Sequence, residues 1–207
     1  MSPLLQPMGD FRRTFDWFYP HVKTIDSMKG VVFTEFLEMV EKKFGMDMVN
    51  DLLENSALSS GGVYSAVGTY DHAEMVTLVV ELNKRSGIAL PDLLKAFGGY
   101  LFQTFQTGYP AMFENASNGF DLLQSVDQEI HVEVLKLYPD AELPSFRTEM
   151  LDENVLQMDY RSDRAMGALA HGLIEACGEH YQENYKIEVI PQTEDGKYVR
   201  FIIHKGA

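Results

Sequence analysis

The feature that most limits the fold of this chain is a change of hydrophobic period near residue 140. Up to Leu137 apolar residues recur at helical spacing, and from Leu143 onward they alternate. A helix presents one face every 3.6 residues and a strand every second residue, so one pattern cannot serve both. "VVFTEFLEMVEKKFG" puts Val32, Phe36, Met39, Val40 and Phe44 on one helix face and stops at Gly45. "DMVNDLLENSA" reads as a second, short helix and "LSSGGVYSAVGTY" as a loop. "DHAEMVTLVVELNKRSG" opens with Asp71 and Glu74 in capping-box spacing and ends at Gly87. "PDLLKAFGGYLFQTFQTG" starts a helix at Pro91, with Gly98-Gly99 as an expected bend. "NGFDLLQSVDQEIHVEVLKLYP" reads as one long helix that ends before Pro139.

Beyond the break, "LPSFRTEMLDENVLQMDYRS" alternates on both sides of a "DEN" turn and predicts a hairpin. "RAMGALAHGLIEACGEHY" is an amphipathic helix, and "YKIEVIPQTEDGKYVRFIIHK" is a second hairpin turning near Asp195-Gly196. The expected class is α+β: a helical half over 28–140, then ββαββ over 141–207 forming a four-stranded antiparallel sheet covered by helices. Residues 1–27 stand apart, with Phe11, Phe15, Trp17, Phe18 and Tyr19 set between charges. They read as a flexible extension or a start placed too early, Met28 being the first residue, with an amphipathic docking segment as the alternative.

A 45% hydrophobic content supplies a sizeable core. The net charge of −14 and the lack of any Lys/Arg cluster argue against nucleic acid and against an anionic membrane surface. A single cysteine, Cys177, allows no internal disulfide and fits a reducing compartment; no run is long enough for a transmembrane helix. The expectation is a soluble cytoplasmic protein.

Two stretches carry chemistry. On the second strand of the first hairpin, roughly 154–162, the even face is Leu156, Met158, Tyr160 and Ser162, with Arg164 just beyond. The odd face is mostly polar, so the even face points to the core. A phenol, a hydroxyl and a guanidinium aimed together suit a carboxylate or phosphate, or an internal salt bridge at a sheet edge. In the long helix, His131 lies at the edge of the face made by Val126, Ile130, Val134 and Leu137. It stands either as a satisfied or solvent-facing histidine or as a lone axial ligand to a metal already held by a macrocycle. No second ligand is spaced for zinc.

Together these stretches resemble the heme-nitric oxide/oxygen binding (H-NOX) domain, the bacterial relative of the heme domain of soluble guanylate cyclase. "MKGVVF", "AFGGYLF", "IHVEVLKLYPDAELPSF" and "YRSDR" match the family in order, over about 28–207. The resemblance implies heme b held between the two halves. His131 would be the axial ligand, Tyr160, Ser162 and Arg164 the propionate anchors, and Pro144 a residue pressing on the porphyrin. It places Val32, Phe36, Phe97, Leu169 and Leu173 on the distal wall. Where oxygen-holding relatives use a distal tyrosine, this chain has Leu169, which implies a sensor of NO, with CO as a second ligand. NO binding trans to His131 would release the histidine, shift its helix and be read by a separate partner, a histidine kinase or a cyclic-di-GMP enzyme. No catalytic machinery is implied. A heme-free interaction scaffold and an anion-anchored carrier of small ligands are the alternatives.

The cysteine-rich zinc site of some relatives has no counterpart here, and Cys177 reads as a core residue. His171 is expected at the surface, His180 partly buried, His72 at a helix start, and His21 and His204 near the termini.

Overall fold

A computed structural model describes residues 27–206. Among the described residues are seven α-helices and six strands, with four of the strands and one helix beyond residue 140 in the order ββαββ. The strands β1 (Ser27–Lys29) and β2 (Thr69–Asp71) form an antiparallel ribbon inside the helical half. That ribbon was not anticipated: three-residue strands are too short to show alternation. Ser27 pairs with Asp71, and the first helix begins at Gly30, one residue before the Val31 that opens the helical run in the sequence. The aromatic segment read as an extension lies otherwise outside the described residues.

Helices α1 (Gly30–Phe44), α2 (Met46–Asn55), α3 (His72–Ser86) and α4 (Leu90–Gly108) pack around one core, with Phe33, Phe36, Leu52, Met75, Leu78 and Phe97 fully buried. Asp71 caps α3 as expected, accepting from Ala73 N at 2.8 Å, but Glu74 does not complete a capping box. It turns into the preceding loop, where Ser59 Oγ, Ser60 N, Ser60 Oγ and Tyr64 Oη all donate to it. Four donors for one buried carboxylate outbid a single backbone N–H.

The second core lies between α7 (Gly167–His180) and a sheet of order β3-β4-β6-β5, antiparallel throughout. Its strands are β3 (Ser145–Asp152), β4 (Val155–Arg161), β5 (Tyr185–Pro191) and β6 (Tyr198–Lys205), so both hairpins fall where the sequence puts them. Leu156, Met158 and Tyr160 are buried on the even face of β4. The odd face departs from expectation at Asp159, which is buried because Arg200 grips it with Nε and Nη2 and Tyr198 Oη donates to it.

Helix α4 runs through Gly98-Gly99 without interruption. Gly98 serves the crossing with α7: a Cβ on it would stand 2.2 Å from Leu169 O, and one on Gly172 would stand 2.0 Å from Lys95 O. No helix among the described residues is long and apolar enough to cross a membrane.

Candidate functional site

The expected single helix over 118–137 is broken in its middle. Helix α5 (Gly119–Ser125) passes through one π turn, Val126–Ile130, into α6 (His131–Leu137). His131 N–H reaches back five residues to Val126 O. One extra residue in a turn rotates everything after it by about 100°. An ideal helix leaves His131 at the edge of the apolar face; the π turn brings it inward.

His131 is one wall of a cavity of about 290 Å3 between the two cores. Val31 and Val32 of α1, Leu101, Phe102 and Phe105 of α4, Leu122 and Leu123 of α5, and Leu169, Ala170 and Leu173 of α7 give it apolar walls. Leu173 packs against both cores. Met158 and Tyr160 close it from the sheet, and Pro144, Ser162 and Arg164 stand at its lining as well. The structure thus brings together His131, Pro144, Tyr160, Ser162, Arg164, Val32, Leu169 and Leu173. It does not bring Phe36 and Phe97 to the lining: the two rings pack edge to face, 5.2 Å apart, in the helical core. Both are fully buried, so an aromatic on the correct helix was read as pocket when it belongs one layer behind.

The imidazole is oriented by a residue the sequence did not bring forward. Asp127 Oδ1 lies 3.0 Å from His131 Nδ1, and Asp127 Oδ2 accepts from Phe146 N at 2.9 Å. One carboxylate therefore fixes the ring and pins α6 to β3. The available signal was an acidic residue four positions before a helical histidine, a spacing common on any helix surface. With Nδ1 engaged, Nε2 is the nitrogen left to face the cavity. Burial pushes the imidazole below its ordinary value, against the pull of Asp127, and so favours the neutral ring. A neutral imidazole whose other nitrogen meets a carboxylate is the arrangement expected of a metal ligand. Among the described residues no group of three or more His, Cys, Asp or Glu side chains could hold a metal ion by itself.

At the end of β4 the chain turns tightly. Ser162 Oγ accepts from Arg164 N at 3.2 Å, Ser162 O accepts from Ala165 N at 3.2 Å, and Ala165 has φ of 52°. The turn keeps Arg164 on the side of Tyr160 and Ser162 after the strand has ended. Tyr160 Oη accepts from Met166 N at 3.0 Å, which ties the same turn to the phenol. The Arg164 side chain is 8% exposed and donates to Ser27 O at 2.7 Å and to Glu142 O.

Other histidines fall differently from expectation. His171 is half-buried, with its ring 6.1 Å from that of Phe201 and Glu175 Oε1 at 3.3 Å from its Nε2. His180, the last residue of α7, is exposed, with its ring 5.8 Å from that of Phe102 and 4.6 Å from that of Tyr181. Cys177 is buried, and burial pushes its thiol up.

The family model described as Haem-NO-binding matches residues 29–189. The chain belongs to this H-NOX family. Domains of the family carry heme and sense gases. Among solved structures, the Fe(II) unliganded H-NOX protein from K. algicida is 40% identical, with a TM-score of 0.83 over 87% of this chain and 97% of that one. An H-NOX protein from S. oneidensis in the Fe(II)NO state is 28% identical, with a TM-score of 0.79 over 87% of this chain and 100% of that one. Soluble guanylate cyclase gcy-35 of Caenorhabditis elegans is 26% identical over 176 residues, 82% of this chain. The H-NOX chain spans only 25% of the length of that cyclase.

Proposed function

We propose that this H-NOX chain is a heme-based sensor of nitric oxide, with CO as a second ligand, that signals by changing shape against a separate partner. One observation carries the reading: a carboxylate-oriented imidazole opens into a largely apolar cavity, lined also by Tyr109 and Tyr138, whose rim gathers a phenol, a hydroxyl and a guanidinium. That donor set fits a flat apolar macrocycle with an iron at its centre and carboxylates at its edge. His131 would hold the iron, Tyr160, Ser162 and Arg164 the propionates, and Pro144 would press on the ring. Heme b, which needs no covalent attachment, suits a chain whose one cysteine offers no pair for thioether bonds. When bound, it supplies a ferrous iron with an open position for a diatomic gas.

The rest is done by the chain. Asp127 fixes the plane of the His131 ring and links any movement of α6 to β3. Val32, Leu169 and Leu173 themselves offer a bound gas no hydrogen-bond donor, which disfavours O2 far more than NO or CO. Differential contacts of a partner with the two positions of α6 then convert occupancy into a signal. The partner is a histidine kinase or a cyclic-di-GMP enzyme, the compartment is the cytoplasm, residues 28–207 act as one sensing domain, and the chain has no catalysis of its own.

The test is an absorption spectrum of the heme-loaded protein, reduced without air and then exposed to air, CO and NO. The expected result is a five-coordinate ferrous form that shifts with NO and CO and forms no stable oxy complex. His131→Gly should lose the native ferrous spectrum and regain it with free imidazole. A stable oxy complex would overturn the NO assignment, and a folded protein that takes up no heme would overturn the sensor.

A further inference from the structure

The elements around the cavity are tied together by a cluster of charges centred on the three-residue strand β1. The Lys29 side chain is 10% exposed. Its ammonium donates to Thr69 Oγ1 at 2.7 Å, to Val67 O at 3.2 Å and to both carboxylate oxygens of Asp140, at 3.1 and 3.2 Å. Thr69 Oγ1 donates in turn to Asp140 Oδ2 at 3.0 Å, and the Tyr138 ring lies 5.5 Å from the ammonium. Asp140 is the one carboxylate within 4.0 Å of Lys29 among the described residues. At the other end of the strand, Ser27 O accepts from Arg164 and Ser27 N donates to Glu142 Oε2 at 3.3 Å.

Asp140 and Glu142 belong to the segment that leaves α6, the helix headed by His131. Lys29 is the N-cap residue of α1, which carries Val31 and Val32 into the cavity. The strand therefore grips the exit of the histidine helix on one side and runs directly into the opposite wall of the cavity on the other. Without Asp140 the largely buried ammonium would keep Thr69 Oγ1 and Val67 O but lose its counter-charge, which makes the separation costly. If α6 moves, Asp140 either draws β1 with it or abandons Lys29.

We infer that Lys29 and Asp140 form a clamp that couples the position of α6, and with it His131, to α1. They are positioning residues: Lys29 lines the cavity, but its ammonium is held by Thr69, Val67 and Asp140, and the pair decides how far a shift at His131 is transmitted. The clamp deepens the sensor reading and rests on it for its trigger, though its geometry is a property of the chain alone.

The experiment is hydrogen exchange on the heme-loaded protein with and without NO, in wild type, Lys29→Met, Asp140→Asn and the double variant. In wild type NO should change exchange over both 131–142 and 27–34. In Asp140→Asn the response over 131–142 should persist while that over 27–34 falls about tenfold, the scale of one charge-assisted hydrogen bond. Lys29→Met should match it, and the double variant should add nothing further. A merely structural role would raise exchange equally with and without NO, and additively. Either that pattern or an undiminished response over 27–34 in Asp140→Asn overturns the clamp. If wild type takes up no heme, the sensor reading fails, and the clamp is read in the heme-free protein. There Asp140→Asn must speed exchange over 27–34 and 138–142 together; a change confined to 138–142 overturns it.

Discussion

Asp127 holds two donors that are distant in sequence, His131 Nδ1 and Phe146 N. Asp127→Ala leaves both without an acceptor, and the expected loss is about 2 kcal/mol of stability, read as a lower denaturant midpoint at unchanged slope. A loss under about 0.5 kcal/mol would mean that water replaces the carboxylate. Glu74 makes a similar case in the helical half. Burial acts to raise its carboxyl, but hydrogen bonds from Ser59, Ser60 and Tyr64 outweigh that and hold it below the ordinary value of 4.5. Between its folded value and 4.5 the unfolded chain binds more protons, so stability rises with pH across that window. The contribution is complete above the window and is lost as pH falls through the folded value. Glu74→Gln should cost about 2 kcal/mol at pH 7 and flatten this part of the acid limb of a pH–stability curve. At this scale the sequence was informative where spacing equals geometry. Tyr160, Ser162 and Arg164 line one cavity as their spacing suggests, Tyr160 by strand alternation and the other two through the turn that follows β4. Asp127 was not legible, because its role depends on a π turn that no local pattern announces.

The crossing of α4 and α7 shows how much an element's neighbours decide. Gly98 and Gly99 are adjacent in sequence and looked like one feature. Gly98 is pressed against the backbone of α7, whereas a Cβ on Gly99 would meet nothing within 4 Å. Gly98→Ala and Gly172→Ala should each force the helices apart and cost about 1–3 kcal/mol, as overpacking does, or more where backbone must shift. Gly99→Ala should stabilise by up to about 1 kcal/mol, because alanine restrains the unfolded chain and nothing obstructs it. Thermal melts of the three variants check both signs at once. A destabilised Gly99→Ala would show that α4 does need freedom at that point. The helices themselves were legible from their 3.6-residue period, and the four sheet strands from alternation and turn residues. The β1–β2 ribbon was not, since its pairing is long-range and its strands are three residues long.

At the scale of the whole molecule, two cores meet over a cavity of about 290 Å3 with apolar walls. Such a cavity lacks the contacts that a close-packed interior would have, so a ligand that binds only the folded state should stabilise it strongly. Heme at a thousand times its Kd should add about 4 kcal/mol. For a chain of this size that is a rise of about 10 °C in Tm. An unchanged melting point on heme addition would contradict the proposed site. His131→Gly should reduce the rise, and Phe36→Leu, behind the wall, should lower the melting point with and without heme alike.

The sequence by itself determined the order of elements, the α+β class and the family, because hydrophobic period, turn chemistry and ordered motifs are local properties. It also placed His131, Pro144, Tyr160, Ser162 and Arg164 in candidate roles. Only the tertiary structure decided that the Phe36 and Phe97 rings lie behind the cavity wall and that Asp127 orients the imidazole. Only it decided that Lys29 reaches Asp140 across 111 residues. These are contacts between segments distant in the chain. Their free energy depends on burial and on which partners are within reach, and neither is written in the spacing of residues along one element.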